Sequence, residues 1–152
     1  MPTVDSIYMS EAIKEAVKAF DADEIPVGAV VVHNGRIIAR AHNQIRLLKD
    51  PTAHAEMIAI TQAAAHLASE RLLETTLYST VEPCAMCAGA MVLGRIKRLV
   101  YAAEDPKTGA AGSVMNVVNN GKLNHRISVI KGVLKKESSA LLKEFFALRR
   151  RK

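Results

Sequence analysis

The sequence predicts one α/β domain in which helices cover both faces of a mixed, five-stranded sheet. Segments whose apolar residues recur at helical spacing alternate with short apolar segments typical of strands. A strand–helix–strand succession in the second half of the chain is typical of parallel neighbours. Hydrophobic residues make up 49% of the 152 residues, and no repeat or Ser/Gly-rich linker divides the chain. We therefore expect a single three-layer α/β/α domain over residues 1–152, which excludes disordered and collagen-like proteins.

The N-terminal part of the chain predicts a helix followed by a hairpin. Asp5 or Ser6 is placed to cap a helix whose apolar residues fall at helical spacing: Met9, Ile13, Ala16, Val17 and Phe20. Residues 27–32 and 36–41 are strand-like, and Asn34-Gly35 between them is the dipeptide that tight hairpin turns favour. These two strands should pair in antiparallel orientation.

The middle of the chain predicts a buried helix and a crossover unit. An Ala-rich helix over about residues 54–68 is apolar on most sides, as expected of a buried helix. A strand at 76–81, a helix over about 83–93 and a strand at 99–102 then follow in quick succession. Pro83 suits the first position of the second helix, because its missing N–H would lack a helical partner there anyway. The two strands should be parallel neighbours.

The C-terminal part predicts a last strand and a last helix. A Gly-rich loop at residues 107–113 precedes a strand at 127–133. The final helix should begin at about Ser138 and turn its apolar residues inward: Leu141, Leu142, Phe145, Phe146 and Leu148.

The net charge of +6 is confined to the C-terminus. Residues 1–130 contain 13 basic and 13 acidic side chains, whereas residues 131–152 contain 8 basic and 2 acidic ones. The chain ends in Arg149, Arg150, Arg151 and Lys152. A basic end on a neutral body indicates a polyanionic partner, with nucleic acid as the first candidate. A solvated helix that aids solubility is the alternative.

Composition also bounds the compartment. The two longest apolar stretches, residues 25–32 and 85–94, are far shorter than the roughly 20 residues that a membrane helix needs. The N-terminal residues lack the basic and apolar regions of a signal peptide. Two cysteines do not make a disulfide framework. We expect a soluble, cytoplasmic protein with no membrane contact.

Two short motifs at predicted helix starts indicate a metal site. Cys84 and Cys87 stand three residues apart, on one helical face and within reach of a single ion. Taken alone, this pair could equally be a redox pair or two small buried residues. With His54 the set becomes three ligands and leaves a fourth tetrahedral position for water, which is the composition of a catalytic zinc site. The combination favours one Zn²⁺ per subunit.

Glu56 stands two residues after His54, in the first turn of its helix. Zinc lowers the pKa of bound water from about 15.7 to near 7. Glu56 is placed to accept a proton from that water and return it to the substrate, as a general acid–base catalyst does.

These motifs carry a family resemblance. Residues 54–56 and 83–87 match the H-x-E…P-C-x-x-C signature of the zinc-dependent nucleobase deaminases. The resemblance covers nearly the whole chain. In detail, the chain resembles the bacterial tRNA-specific adenosine deaminase family, in the cytidine/deoxycytidylate deaminase superfamily. The segments that carry it are residues 25–30, 50–56, 82–91, 107–113 and 124–126.

The resemblance implies a cytidine deaminase-like fold and the conversion of adenosine to inosine at the wobble position of a tRNA anticodon. It makes His54, Cys84 and Cys87 the zinc ligands. Hydroxide generated at the zinc would attack C6 of adenine, and Glu56 would shuttle the protons. It also implies a homodimer that holds the anticodon stem-loop.

Further contacts follow from the same resemblance. Asn43 falls where the family places an asparagine that hydrogen-bonds the nucleoside, and Asp105 where it places an acidic residue beside the RNA backbone and sugar. Backbone groups near Val27 and Ala29 would hold the base and ribose, with ordinary strand packing as the alternative. Basic residues would contact RNA phosphates: Lys107, Arg149, Arg150 and Arg151.

Two other functions compete with this one. A deaminase of free guanine, cytidine or deoxycytidylate would carry the same metal motifs, but it would not need residues 107–113, residues 124–126 or the basic tail. A non-catalytic zinc or redox module that binds RNA would make Glu56 dispensable and would fill the fourth zinc position with protein. The lack of a fourth good ligand nearby in the sequence disfavours that module.

Overall fold

The computed structural model describes residues 2–151 and contains a five-stranded sheet flanked by helices. The strands are β1 (Gly28–His33), β2 (Arg36–His42), β3 (Thr75–Val81), β4 (Arg98–Ala103) and β5 (Ser128–Lys131). The helices are α1 (Val4–Asp21), α2 (Ile45–Leu48), α3 (Ala55–Leu67), α4 (Ala85–Leu93) and α5 (Lys135–Arg150). In the described part of the chain, no helix is long and apolar enough to cross a membrane.

The sheet has the strand order β2-β1-β3-β4-β5 and is mixed. β1 runs antiparallel to both β2 and β3, whereas β3, β4 and β5 are parallel. The hairpin between β1 and β2 turns on Asn34 and Gly35, at φ values of 50° and 73°. Both residues therefore adopt the left-handed conformation that a type I′ turn requires. The predicted hairpin and the parallel crossover through α4 are confirmed.

Alternate residues of β1 face two separate parts of the core. Ala29 and Val31 pack with residues of α3 and α4 on one side of the sheet. Val30 and Val32 pack with residues of α1 on the other side. Helix α5 contacts α1 and β4. The prediction of three layers around a mixed five-stranded sheet is therefore confirmed.

The start of α1 differs from the sequence prediction. Thr3 is the N-cap residue, and its hydroxyl accepts a hydrogen bond from the N–H of Ser6 at 3.0 Å. Asp5 lies inside the first turn, where its carboxylate accepts hydrogen bonds from the hydroxyl of Tyr78 and the guanidinium of Arg98. Asp5, which the sequence pattern predicted as a cap, therefore binds Tyr78 and Arg98 of the sheet instead.

Helix α4 begins two residues later than predicted. Cys84 is its N-cap residue, with φ −74° and ψ 176°, and Ala85 is the first helical residue. Pro83 remains outside the helix, and its carbonyl accepts a hydrogen bond from the N–H of Ala110 at 2.8 Å. A long-range contact thus holds Pro83 in the loop that precedes the helix.

The C-terminal helix begins earlier than predicted and is less buried. It starts at Lys135, and Ser138 lies inside it, donating a hydrogen bond to the carbonyl of Thr80 at 2.6 Å. Phe145 is buried, as predicted, but Phe146 and Leu148 are both 41% exposed. The expectation that these last two face inward is wrong, because the sheet covers only one side of this helix.

Candidate active site

The starts of helices α3 and α4 place three metal-ligand side chains together. His54 is the N-cap residue of α3, Cys84 is the N-cap residue of α4, and Cys87 lies in the first turn of α4. The Nδ1 atom of His54 lies 3.7 Å from the Sγ of Cys84 and 3.6 Å from the Sγ of Cys87. The three donor atoms lie within 4.8 Å of one another.

This spacing fits a tetrahedral zinc ion. Zinc lies about 2.0–2.1 Å from a histidine nitrogen and about 2.3 Å from a cysteine sulfur, so a tetrahedral angle separates the two donors by about 3.6 Å. The two measured nitrogen–sulfur distances are 3.6 and 3.7 Å. One imidazole and two thiols are also the donor chemistry that zinc prefers. The two nitrogen–sulfur distances therefore match those of a zinc site.

The two thiols differ in their affinity for protons. Hydrogen bonds from the Cys87 thiol and from His54 lower the pKa of Cys84 to about 3. The Cys87 thiol, which shares its proton with Cys84 and is buried, has its pKa raised. The hydrogen bond between His54 and Cys84 raises the pKa of His54. A cation at this point would replace the shared proton, because zinc binds thiolates.

Glu56 lies beside this cluster in the first turn of α3 and is only 4% exposed. Burial raises the pKa of its carboxyl group to about 7. The group is therefore close to the point at which it can both accept and release a proton at neutral pH.

Asn43 connects the end of the hairpin to the start of α3. Its Oδ1 accepts a hydrogen bond from the N–H of Ala55 at 2.8 Å, and its Nδ2 donates to the carbonyl of Ile25 at 3.2 Å. Asn43 thereby satisfies the first of the N–H groups at the start of α3 that have no partner within the helix. The side chain of His54, the N-cap residue itself, faces the two thiols instead.

A cavity of about 220 Å³ opens beside these residues. Its lining combines the cluster with apolar and acidic side chains: Ile25, Val27, Asn43, Ile45, His54, Glu56, Val81, Glu82, Cys84, Asp105 and Thr108. Val27, expected near the substrate, is thus part of the wall. Ala29 is fully buried in the core and pairs with Ala41 and Ser79 in the sheet.

Asp105 lies in the cavity wall, but its carboxylate is engaged within its own loop. It accepts hydrogen bonds from the N–H of Lys107 at 3.0 Å and of Thr108 at 3.1 Å. It also accepts a hydrogen bond from the Thr108 hydroxyl at 2.7 Å. The segment from Asp105 to Thr108 is therefore a turn, because the Asp105 side chain binds the backbone that follows it.

Sequence reasoning missed two buried carboxylates near the site. Glu82 is 2% exposed and lines the cavity, directly before Pro83 and Cys84. Glu24 is also 2% exposed and accepts hydrogen bonds from the N–H groups of Arg46 and Leu47 at the start of α2. The hydrogen-bond partners of Glu24 and Glu82 lie more than 20 positions away in the sequence. The only local sign of their burial was therefore an acidic residue next to an apolar segment.

Three of the four basic residues expected to bind RNA meet at one surface. Lys107, Arg149 and Arg150 surround a cleft together with the exposed ring of Phe146. Arg149 also lies over the ring of Phe145, 5.2 Å from its centroid. Arg151 follows the end of α5 and is exposed, outside the residues that line the cleft.

An apolar trough connects this cleft to the cavity. The trough has a volume of about 400 Å³ and shares residues with both of its neighbours. Ile25, Val27 and Val81 belong to the cavity and the trough, and Phe146 and Lys107 belong to the trough and the cleft. A continuous surface thus leads from the His/Cys/Cys cluster to the basic end of α5.

Residues 4–150 match the model of the MafB19-like deaminase family. The chain is 49% identical over 150 residues to a tRNA-specific adenosine deaminase of Bacillus subtilis, covering 99% of this chain and 93% of that protein. It is 46% identical to a tRNA-specific adenosine deaminase of Aquifex aeolicus, with 91% of each chain covered.

Solved structures show the same similarity. One from work on A-to-I editing by tRNA:A34 deaminases at the wobble position of transfer RNA superposes with a TM-score of 0.86 and 44% identity. That superposition covers 90% of this chain and 99% of the other. A guanine deaminase from Nitrosomonas europaea superposes with a TM-score of 0.81 and 27% identity, covering 93% of this chain and 84% of the other.

Proposed function

The chain belongs to the family of tRNA-specific adenosine deaminases, and on that premise we propose that it hydrolyses adenosine to inosine at the wobble position of a tRNA anticodon. One observation carries the proposal beyond family membership. The cavity beside the His/Cys/Cys cluster continues through an apolar trough to a basic cleft, as a site for one base within a longer RNA requires. The reaction consumes water and releases ammonia.

We assign one zinc ion per chain to His54, Cys84 and Cys87. Their donor chemistry and their nitrogen–sulfur distances of 3.6 and 3.7 Å support the assignment. When bound, zinc supplies Lewis-acid activation of water near neutral pH. Asn43 supports the arrangement by satisfying the N–H of Ala55, the residue that follows His54 at the start of α3.

We assign the proton transfers to Glu56. Its carboxylate lies in the cavity wall, in the helical turn that follows His54. Its side chain is only 4% exposed. Glu56 accepts the proton that water loses as it adds to C6 of adenine, and it delivers a proton to the ring nitrogen. Glu56, again a carboxylate, then takes the proton of the new C6 hydroxyl and passes it to the amino group. The C6–N bond breaks, ammonia leaves, the C6 carbonyl forms, and Glu56 ends as the carboxylate it was at the start.

The target base enters the cavity and the flanking RNA follows the trough. Val27, Asn43 and Asp105 form its walls, and we propose that they contact the nucleoside. Ala29 supports the wall from the core. The free energy needed to unpair and unstack the base is small in an anticodon loop, because its bases are not paired in a duplex.

The basic cleft binds the RNA backbone. Lys107, Arg149 and Arg150 converge there, and Arg151 extends the positive charge beyond α5. Phosphate contacts of this kind make affinity fall as salt concentration rises. The resemblance to the family further implies a homodimer and a cytoplasmic location, where tRNA is processed; sedimentation of the purified protein would test the dimer.

The test is mass spectrometry of an anticodon stem-loop RNA with a wobble adenosine, after incubation with the zinc-loaded protein. We expect inosine at that position. The matched variant Glu56→Gln keeps the size of the side chain but not its carboxylate, and it should be slower by about 10²–10⁴-fold. Glu70→Gln, which changes an exposed glutamate after α3, serves as the control and should retain full activity.

Each rival function predicts a different outcome. A free-base deaminase would leave the RNA unchanged and release ammonia from guanine or cytidine. This alternative is less supported, because the guanine deaminase structure is 27% identical to this chain and the tRNA:A34 deaminase structure is 44% identical. A non-catalytic RNA-binding module would bind the stem-loop and produce no inosine, with or without Glu56.

A further inference from the structure

We propose that Glu82 is a positioning residue for RNA binding, because its buried carboxylate holds the loop of residues 105–113 against the segment that carries the cysteines. The inference rests on the proposed function, since the substrate it concerns is the anticodon loop. Glu82 is 2% exposed and stands at the end of β3, one residue before Pro83.

Four donors from one loop converge on this carboxylate. Oε1 accepts from the N–H of Asp105 at 3.0 Å and from the hydroxyl of Ser113. Oε2 accepts from the N–H of Ala111 and from the N–H of Ser113, both at 3.0 Å. An ionised carboxylate accepts hydrogen bonds only and offers about four lone-pair sites. A carboxylate at residue 82 therefore matches the loop completely, and a neutral side chain does not.

Backbone hydrogen bonds join Glu82 to the end of β4 and Pro83 to the same loop. The N–H of Glu82 donates to the carbonyl of Ala103 at 2.8 Å, and the carbonyl of Pro83 accepts from the N–H of Ala110 at 2.8 Å. A Cβ at Gly109 would lie 2.4 Å from the carboxyl carbon of Glu82. Since no side chain fits at Gly109, the loop approaches the carboxylate as closely as a backbone can.

The loop supplies part of the cavity wall. Asp105 and Thr108 line the cavity and are joined by a hydrogen bond of 2.7 Å. Glu82 binds the loop at wall residue 105 and again at residues 111 and 113, which follow wall residue 108. Without the carboxylate, the wall loses these anchors and keeps the hydrogen bond between Ala110 and Pro83. His54 and Glu56 are held from α3 and by Asn43, so the reacting groups keep their places.

The expected change in KM and kcat follows because Glu82 holds the cavity wall and not the reacting groups. A loosened wall weakens substrate binding while the chemical step proceeds in the molecules that do bind. In Glu82→Gln, the amide has one oxygen and one NH₂ group, so two of the four donors face another donor. A hydrogen bond to a charged group is strong enough that its loss changes an equilibrium by about tenfold or more. Ser113→Ala removes the hydroxyl donor and leaves the three N–H donors, so it should have a smaller effect.

The experiment measures steady-state deamination of the anticodon stem-loop by the zinc-loaded wild type, Glu82→Gln and Ser113→Ala. We expect KM to rise by about tenfold or more in Glu82→Gln and by a few-fold in Ser113→Ala, with kcat within about threefold of wild type in both. Glu74→Gln is the matched control, because Glu74 is 69% exposed and pairs with Lys97 at the opposite end of β3.

Hydrogen exchange gives a second measurement that does not depend on activity. The amides of Asp105, Ala111 and Ser113 should exchange faster in Glu82→Gln than in wild type, while those of α3 exchange at the same rate. Unchanged exchange at these three amides would overturn the inference. So would a fall in kcat at constant KM, which would mean that Glu82 acts on the chemical step.

The two levels of the proposal fail in different ways. If the wild type produces no inosine, the proposed function fails, and hydrogen exchange alone still decides whether Glu82 holds the loop. If Glu82→Gln does not fold, Ser113→Ala decides the kinetic question. An unchanged KM in Ser113→Ala, together with unchanged exchange at residues 105 and 111, would then overturn the inference.

Discussion

Replacing Asn43 by alanine tests how the start of α3 is held beside the candidate metal ligand His54. Asn43 is 5% exposed, accepts a hydrogen bond from the N–H of Ala55 and donates one to the carbonyl of Ile25. In Asn43→Ala the buried N–H of Ala55 loses its partner, whereas the carbonyl of Ile25 keeps its hydrogen bond from the N–H of Val27. The N–H of Ala55 is the first of α3, so the variant lacks a helix cap supplied from another part of the chain.

The expected loss of stability follows from these two hydrogen bonds. Loss of the partner of the Ala55 N–H costs about 0.5–2 kcal/mol, as loss of a helix cap does, and loss of the partly buried hydrogen bond to Ile25 costs about 0.5–1.5 kcal/mol. Together they predict a free energy of unfolding that is lower by about 1–3.5 kcal/mol. For a domain of about 150 residues, Tm shifts by about 2–4 °C per kcal/mol, so Tm should fall by about 2–14 °C.

Thermal unfolding followed by circular dichroism measures this difference. Wild type and variant should be compared after chelation and again at equal zinc loading, because a ligand that binds only the native state raises Tm. Gln44→Ala is the control, since it truncates the adjacent side chain where Glu24 already caps α2. A Tm for chelated Asn43→Ala equal to that of Gln44→Ala would refute the capping role of Asn43.

Three further predictions concern the metal, the basic cleft and pH. Cys87→Ala removes one of three donors and should lose zinc on dialysis, as measured by elemental analysis; full zinc occupancy would remove Cys87 from the ligand set. Arg149→Ala and Arg150→Ala should each reduce the slope of log affinity against log salt by about 1, and an unchanged slope would assign these residues to solubility instead. Hydrogen bonding to Arg98 lowers the pKa of Asp5, so the stability this pair contributes is full above about pH 4 and is lost as the pH falls below that value. The Tm difference between wild type and Asp5→Asn should therefore shrink between about pH 6 and pH 3; a constant difference would contradict this reasoning.

Local features of the sequence predicted most of the fold. The Asn34-Gly35 turn was predictable because few residues adopt the left-handed conformation at two successive positions. The five strands and the crossover were predictable because apolar periodicity records which face of each element is buried. Helix boundaries were less accurate. Helix α1 is capped by Thr3 because Asp5 binds Tyr78 and Arg98 instead. Helix α4 is capped by Cys84 while the carbonyl of Pro83 binds Ala110.

The sequence also selected the residues of the candidate metal site, and the structure brings them together. Thiols and imidazole are rare enough, and their chemistry specific enough, for two short motifs to indicate one ion. The pattern of apolar residues could not show which side chains of α5 would be exposed. Phe146 and Leu148 have helical spacing suited to a core, but they lie on the exposed side of α5, whereas Phe145 is buried.

By itself, then, the sequence determined the layered fold and the candidates for metal binding and proton transfer, because these depend on local periodicity and on the chemistry of single residues. Only the tertiary structure decided which groups Asn43 and Glu82 bind. Each is a buried polar side chain whose partners lie 12 to 31 positions away. A buried polar group must find hydrogen-bond partners, but which ones it finds is fixed by how the elements pack. That packing joins the basic end of α5 to the cavity and turns His54 toward the thiols.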